Sequence, residues 1–165
     1  MLEQAGDFRA ESEALHQLVS GLPESAFSVP TAFKGWTIDR VLGHLHMWNW
    51  AADLSLTDAG KFLKFMQGGI SRRGAGGNVG DIELEGRDGI GGQALVSAWR
   101  EYYQGMADRF AEADPSARVP WAGPSMSVRS SISARLMETW AHGQEVYDML
   151  GVVRQNEDRI KSIAV

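Results

Sequence analysis

Four or five segments of the chain repeat their apolar residues at the 3.6-residue period of an amphipathic helix, and none reads convincingly as a buried strand. The first runs from about Glu3 to Val19, with Phe8, Leu15, Leu18 and Val19 on one side. A loop follows, "SGLPESAFSVPTAFKG", punctuated by Gly21, Pro23, Pro30 and Gly35. The second helix opens within "WTIDRVLGHLHMWNWAADLSLTD": Thr37 is a good N-cap, and Asp39 lies in the first turn, where the helix dipole favours negative charge. Its buried stripe is Ile38, Val41, Leu42, Leu45 and Ala52. The third spans about Gln93 to Ala113, with bulk from Leu95, Trp99, Tyr102, Tyr103, Met106 and Phe110. The fourth begins near Ser127, after Pro124, and stops at Gly151, a well-placed C′ glycine. A last segment, "NEDRIKSIAV", reads as a helix capped by Asn156.

Between the second and third helices, Gly68 to Gly92 holds ten glycines in 25 residues. Each glycine costs a helix ~1 kcal/mol relative to alanine, so no long helix is expected there. The segment is long enough to be a crossover, which would let helices two and three run parallel. It reads either as a mobile surface loop or as the lid or mouth of a site. The expectation is an all-α chain: a four-helix bundle over residues 1–151, then an extension over 152–165 that starts a helix toward a further domain.

Composition narrows the partners. At 165 residues and 44% hydrophobic, the chain suits one globular domain, and no apolar run approaches the ~20 residues of a membrane span. The opening "MLEQAGDFRAESEALHQL" mixes charged and apolar residues, unlike a secretory signal. Net charge is -5, and no basic cluster exceeds Arg72–Arg73, which argues against nucleic acid and anionic membranes. The absence of cysteine excludes disulfides and Cys-ligated metals, and the default compartment is the cytoplasm, for a monomer or homodimer.

The chemistry concentrates in "RLMETWAHGQEVYDMLG", where Glu138, His142 and Glu145 fall at i, i+4 and i+7 on one helix face. Alone, an i, i+4 Glu–His pair is more often a solvated face, and Arg135 offers Glu138 a rival partner. A third ligand would come from the second helix, through His44 or His46. These flank the buried stripe on opposite sides, roughly 200° apart, so they cannot serve one site. One is expected to face a neighbouring helix and the other solvent. Helical geometry does not choose between them.

The sequence here resembles a family. "GWTIDRVLGHLHMW" is similar to the opening motif of the DinB-like superfamily, in its mycothiol-dependent maleylpyruvate isomerase branch, and "RLMETWAHGQEVYDMLG" to the second half of that pattern. The resemblance spans essentially the whole chain. It implies a DinB-like four-helix bundle holding one divalent metal, Zn²⁺ above others, through His44, Glu138 and His142, with His44 chosen because it stands seven residues after Thr37. Three side chains without cysteine leave a zinc open for water or substrate. Glu145 could be a fourth ligand, a general base or an orienting residue. The activity implied is a thiol S-transferase or isomerase reaction, with mycothiol as cosubstrate and a small electrophile as substrate. A non-catalytic ligand-binding module and a metal-dependent hydrolase are the alternatives. Trp48, Trp99, Tyr102, Trp121 and Trp140 are candidates to line an apolar pocket or to fill the core, and "WAGPSM" is a loop placed to touch substrate.

Overall fold

The computed structural model describes residues 1–74, Glu83 and residues 89–163. Among them the chain is almost wholly helical: α1 (Glu3–Val19), α2 (Ile38–Thr57), α3 (Ala59–Gly74), α4 (Gly92–Glu112) and α5 (Val128–Leu150), with short 3₁₀ turns at Glu24–Ser28 and Asp158–Ile163. The one sheet is a two-residue antiparallel pair, β1 (Arg118–Val119) with β2 (Met126–Ser127). No helix among the described residues is long and apolar enough to cross a membrane.

The four long helices form the expected bundle. Each of α1 and α2 packs against both α4 and α5, so the consecutive helices α1 and α2 face each other across the bundle. The apolar stripes meet in one core: Phe8, Leu15 and Val19 from α1, Ile38, Val41, Leu42, Leu45 and Ala52 from α2, Trp99, Tyr103 and Phe110 from α4, and Ile132 and Leu136 from α5. The caps hold too. Thr37 Oγ1 accepts from the Arg40 amide at 3.1 Å, Ser127 Oγ from the Ser130 amide at 3.0 Å, and Gly151 ends α5 in the left-handed region at φ 66°.

Helices α2 and α4 run parallel. Near the α2 start, Asp39 Oδ1 accepts from the Gly92 amide at 2.7 Å, while near its end Asp53 takes both Arg109 Nε at 2.8 Å and Nη2 at 2.7 Å. A Cβ on Gly91 would lie 2.6 Å from Asp39 Oδ2, so the close carboxylate requires a glycine there. The carboxylate in turn satisfies an orphan donor at the positive end of α4.

Two expectations need correction. The periodicity reading missed α3, which follows α2 after Asp58 and carries helix into the glycine-rich stretch as far as Gly74. Phe62, buried in α3, stacks on Trp121, and Phe65 meets Trp50 edge-on, so packing on α2 outweighs the glycine penalty. Most of the remaining stretch, where a lid or mobile loop was expected, lies outside the described residues. The tail also differs: Asn156 does not cap a helix but accepts from Trp140 Nε1 at 3.0 Å, and only a 3₁₀ turn follows. The tail is tied back instead, through Arg154 and Arg159 to Glu11, which is buried on α1.

Candidate metal centre

Helix α5 presents Glu138 and His142 one turn apart, and α2 presents His44 to the same place. His44 Nε2 lies 3.1 Å and His142 Nε2 3.2 Å from the same oxygen, Glu138 Oε2. The donor atoms of the three side chains all fall within 4.8 Å of one another. Tetrahedral zinc with bonds near 2.0–2.1 Å needs its ligand atoms about 3.3 Å apart, so the spacing fits such an ion. All three side chains are partly buried, with His44 14% exposed and His142 16%. The set could hold a divalent cation and leave coordination positions open.

Electrostatics favour a carboxylate here. Hydrogen bonds from His142 and His44 hold Glu138 far below the usual carboxylate range, against the opposing effect of burial and with help from the nearby Arg135 charge. Burial pushes the His44 imidazole down, but hydrogen bonds and charge from Glu138 and Glu83 outweigh it and hold the ring above its ordinary value.

Sequence reasoning missed Glu83. Its Oε1 lies 2.7 Å from His44 Nδ1 and also accepts from Trp48 Nε1 at 3.2 Å. His44 therefore sits between two carboxylates, with Nε2 turned to the cluster and Nδ1 to Glu83. That is the arrangement in which an outer carboxylate fixes the tautomer and orientation of a ligand histidine. Nothing in the sequence singles it out from Asp81, Glu85 and Asp88 in the same glycine-rich stretch.

The aromatic surround was also only half legible. Trp36, which in the sequence is only part of a helix-start motif, stacks on His142 with planes 5° apart and centroids at 5.4 Å. Phe33 meets the same ring edge-on at 5.7 Å. Both are aimed by a tight turn in which Lys34 and Gly35 have φ 51° and 70°, closed by the Trp36 amide donating to the Phe33 carbonyl at 2.9 Å. A lysine in the left-handed region is uncommon, and such strain is kept where surrounding contacts demand it. Of the candidate pocket aromatics, Trp48 stands beside the cluster, 6.4 Å from His44, and Trp121 lies 5.8 Å from Trp48. Trp99 is core, Tyr102 bonds Asp53 at 2.7 Å, and Trp140 faces the tail.

The two α2 histidines do point apart, but neither faces open solvent as one was expected to. His46 lies edge-on to Tyr102 of α4 at 5.6 Å, where burial pushes its imidazole down. Arg135 is not the wet rival first considered: it is buried, and burial pushes its guanidinium down to about 10. Glu145 is half-buried and is not among the three converging donors.

Comparison with known proteins bears on the family and the fold. A family model described as the mycothiol maleylpyruvate isomerase N-terminal domain matches residues 8–147. A Mycobacterium tuberculosis protein named only as uncharacterized, matched in strains CDC 1551 / Oshkosh and ATCC 25618 / H37Rv, is 36% identical over 158 residues, covering 96% of this chain and 60% of its own length. The crystal structure of the mycothiol-dependent maleylpyruvate isomerase superposes with a TM-score of 0.70 at 16% identity, over 98% of this chain and 65% of that one. A mutant of the same enzyme superposes equally well, at 15% identity. At that identity the likeness is one of fold. The chain thus spans about three-fifths of the length of the curated relatives it matches.

Proposed function

The chain belongs to the family of the mycothiol maleylpyruvate isomerase N-terminal domain, and on that footing we propose that it is a divalent-metal-dependent thiol S-transferase or isomerase. In this reading residues 1–151 form the metal-binding unit, and His44, Glu138 and His142 hold one ion, Zn²⁺ by the chemistry of two imidazoles and a carboxylate. The observation that carries it is the convergence of three donors from two helices on one point.

When bound, the ion supplies one thing to the chemistry: it lets a thiol held against it exist as thiolate near neutral pH. The rest falls to side chains. Glu83 holds the proton on His44 Nδ1, leaving the Nε2 lone pair toward the centre. Trp36 and Phe33 cover His142, fixing its ring and excluding water from that side. Glu145, on the same face of α5, is assigned as the proton acceptor. The cosubstrate in this reading is a low-molecular-weight thiol of the mycothiol type, and its partner a small electrophile.

Zinc titration at neutral pH should give one ion per chain, followed by turnover of maleylpyruvate or a bimane electrophile that requires mycothiol. Turnover with water alone would replace the reading with a hydrolase. Zinc uptake without turnover under either condition would replace it with a binding module.

A further inference from the structure

Arg135 is 4% exposed, yet neither its Nε nor its Nη1 has a hydrogen-bond partner among the described residues. A guanidinium stays charged at neutral pH, and burying one unpaired is costly. Two groups near it do not resolve that. Glu138, one turn away, touches its charge only at a distance, because its carboxylate is engaged with both histidines. The Trp121 ring lies 6.0 Å from the guanidinium carbon, at the outer limit of a cation–π contact.

The position of Arg135 is informative. One aromatic wall links it to the metal centre: Trp121 beside Arg135, then Trp48 at 5.8 Å from Trp121, then His44 at 6.4 Å from Trp48.

We propose that Arg135 anchors an anion-binding subsite that takes the carboxylate of a small, flat substrate. A guanidinium matches a planar two-oxygen anion, and the Trp48–Trp121 wall suits a conjugated body reaching toward the metal centre. The subsite rests on the reading of that centre as the reacting end, but its anchor is a residue outside the donor set.

Benzoate and its neutral isostere benzamide, titrated calorimetrically into the full chain, test it. Both are measured with zinc-loaded and with chelator-treated protein. Benzoate should bind at least about tenfold tighter than benzamide in both states, the difference a charge-assisted hydrogen bond supplies. Arg135→Met should erase that preference while zinc stoichiometry and helical circular dichroism stay unchanged, and Arg135→Lys should keep part of it. Equal binding of the two probes, or a benzoate preference that survives Arg135→Met, overturns the subsite. A preference present only with zinc and indifferent to Arg135→Met does the same, because the ion would then be the anchor. A chain that takes up no zinc yet keeps the Arg135-dependent preference supports the subsite and fails the metal reading alone.

Discussion

Glu11 and Glu138 are each shared between two nitrogen-bearing side chains, with opposite consequences. Glu11 on α1 accepts from Arg154 and from Arg159, the latter at 2.6 Å, and its side chain is 3% exposed. Glu138 on α5 lies against His44 and His142 at 3.1 and 3.2 Å, and is 28% exposed. Glu11 gives one oxygen to each partner, Glu138 turns the same oxygen to both, and the donors differ in kind. Guanidinium groups cannot shed a proton at any ordinary pH, so the Glu11 cluster is permanently closed and ties the tail to the bundle. Imidazoles can lose theirs and offer a lone pair in its place, so the Glu138 cluster can exchange protons for a metal. Burial follows the same logic: a clamp is best dry, whereas a centre that exchanges ligands needs a path to solvent.

The strongest way to break this contrast is to remove a donor from each cluster. His44→Ala or His142→Ala should abolish stoichiometric zinc uptake, measured by calorimetry at neutral pH, while His46→Ala and His16→Ala leave it intact. Uptake retained in both ligand variants would sink the centre, and loss on replacing His46 but not His44 would mean the wrong face of α2 was chosen. Glu11→Gln should leave zinc stoichiometry untouched but cost ~3–5 kcal/mol of stability in chemical denaturation, because the buried Arg154 loses its counter-charge and Arg159 keeps only the exposed Glu157. A variant as stable as the parent would show that the clamp is ornamental.

Two smaller effects sharpen the comparison. Glu83→Gln keeps an acceptor near His44 Nδ1 but removes its charge, and should weaken zinc binding by ~10–100-fold. Unchanged affinity would mean that Glu83 does not orient the ring. The last effect is pH dependence. His44 is held above its ordinary value of 6.5, and a metal needs the ring neutral, so affinity should fall as pH drops through that raised value, by about tenfold per unit for one displaced proton. In the metal-free protein the same shift acts on stability with the reverse sense: its contribution is full below the unfolded value and is lost as pH rises through the folded one. Zinc competition titrations between about pH 5.5 and 8 would contradict this if affinity were flat.

The bundle and its caps were readable because they depend on local rules. Thr37, Ser127 and Gly151 act on neighbours within one turn, and the apolar stripes repeat within each helix. Helix α3 was not readable because its glycine-poor half is short, and what stabilises it is Phe62 and Phe65 meeting Trp121 and Trp50, a non-local fact. At the site, Glu138 and His142 announce themselves by spacing. His44 needed the family pattern, since helical periodicity treats it and His46 alike. Glu83, Trp36 and Arg135 take their roles from partners far away in sequence or from burial, and no spacing rule reports either.

The diagonal placement of α1 and α2 bears on how the chain acquires its structure. A nascent bundle usually closes consecutive helices into a hairpin, but among the described residues α1 packs chiefly against α4, α5 and the tail. The Ser162–Asp7 hydrogen bond spans 155 residues of sequence. Contacts so distant are slow to form, so this bundle should fold more slowly than its helical content suggests. During synthesis the Phe8, Leu15 and Val19 stripe of α1 must wait, uncovered, until most of the chain has been made.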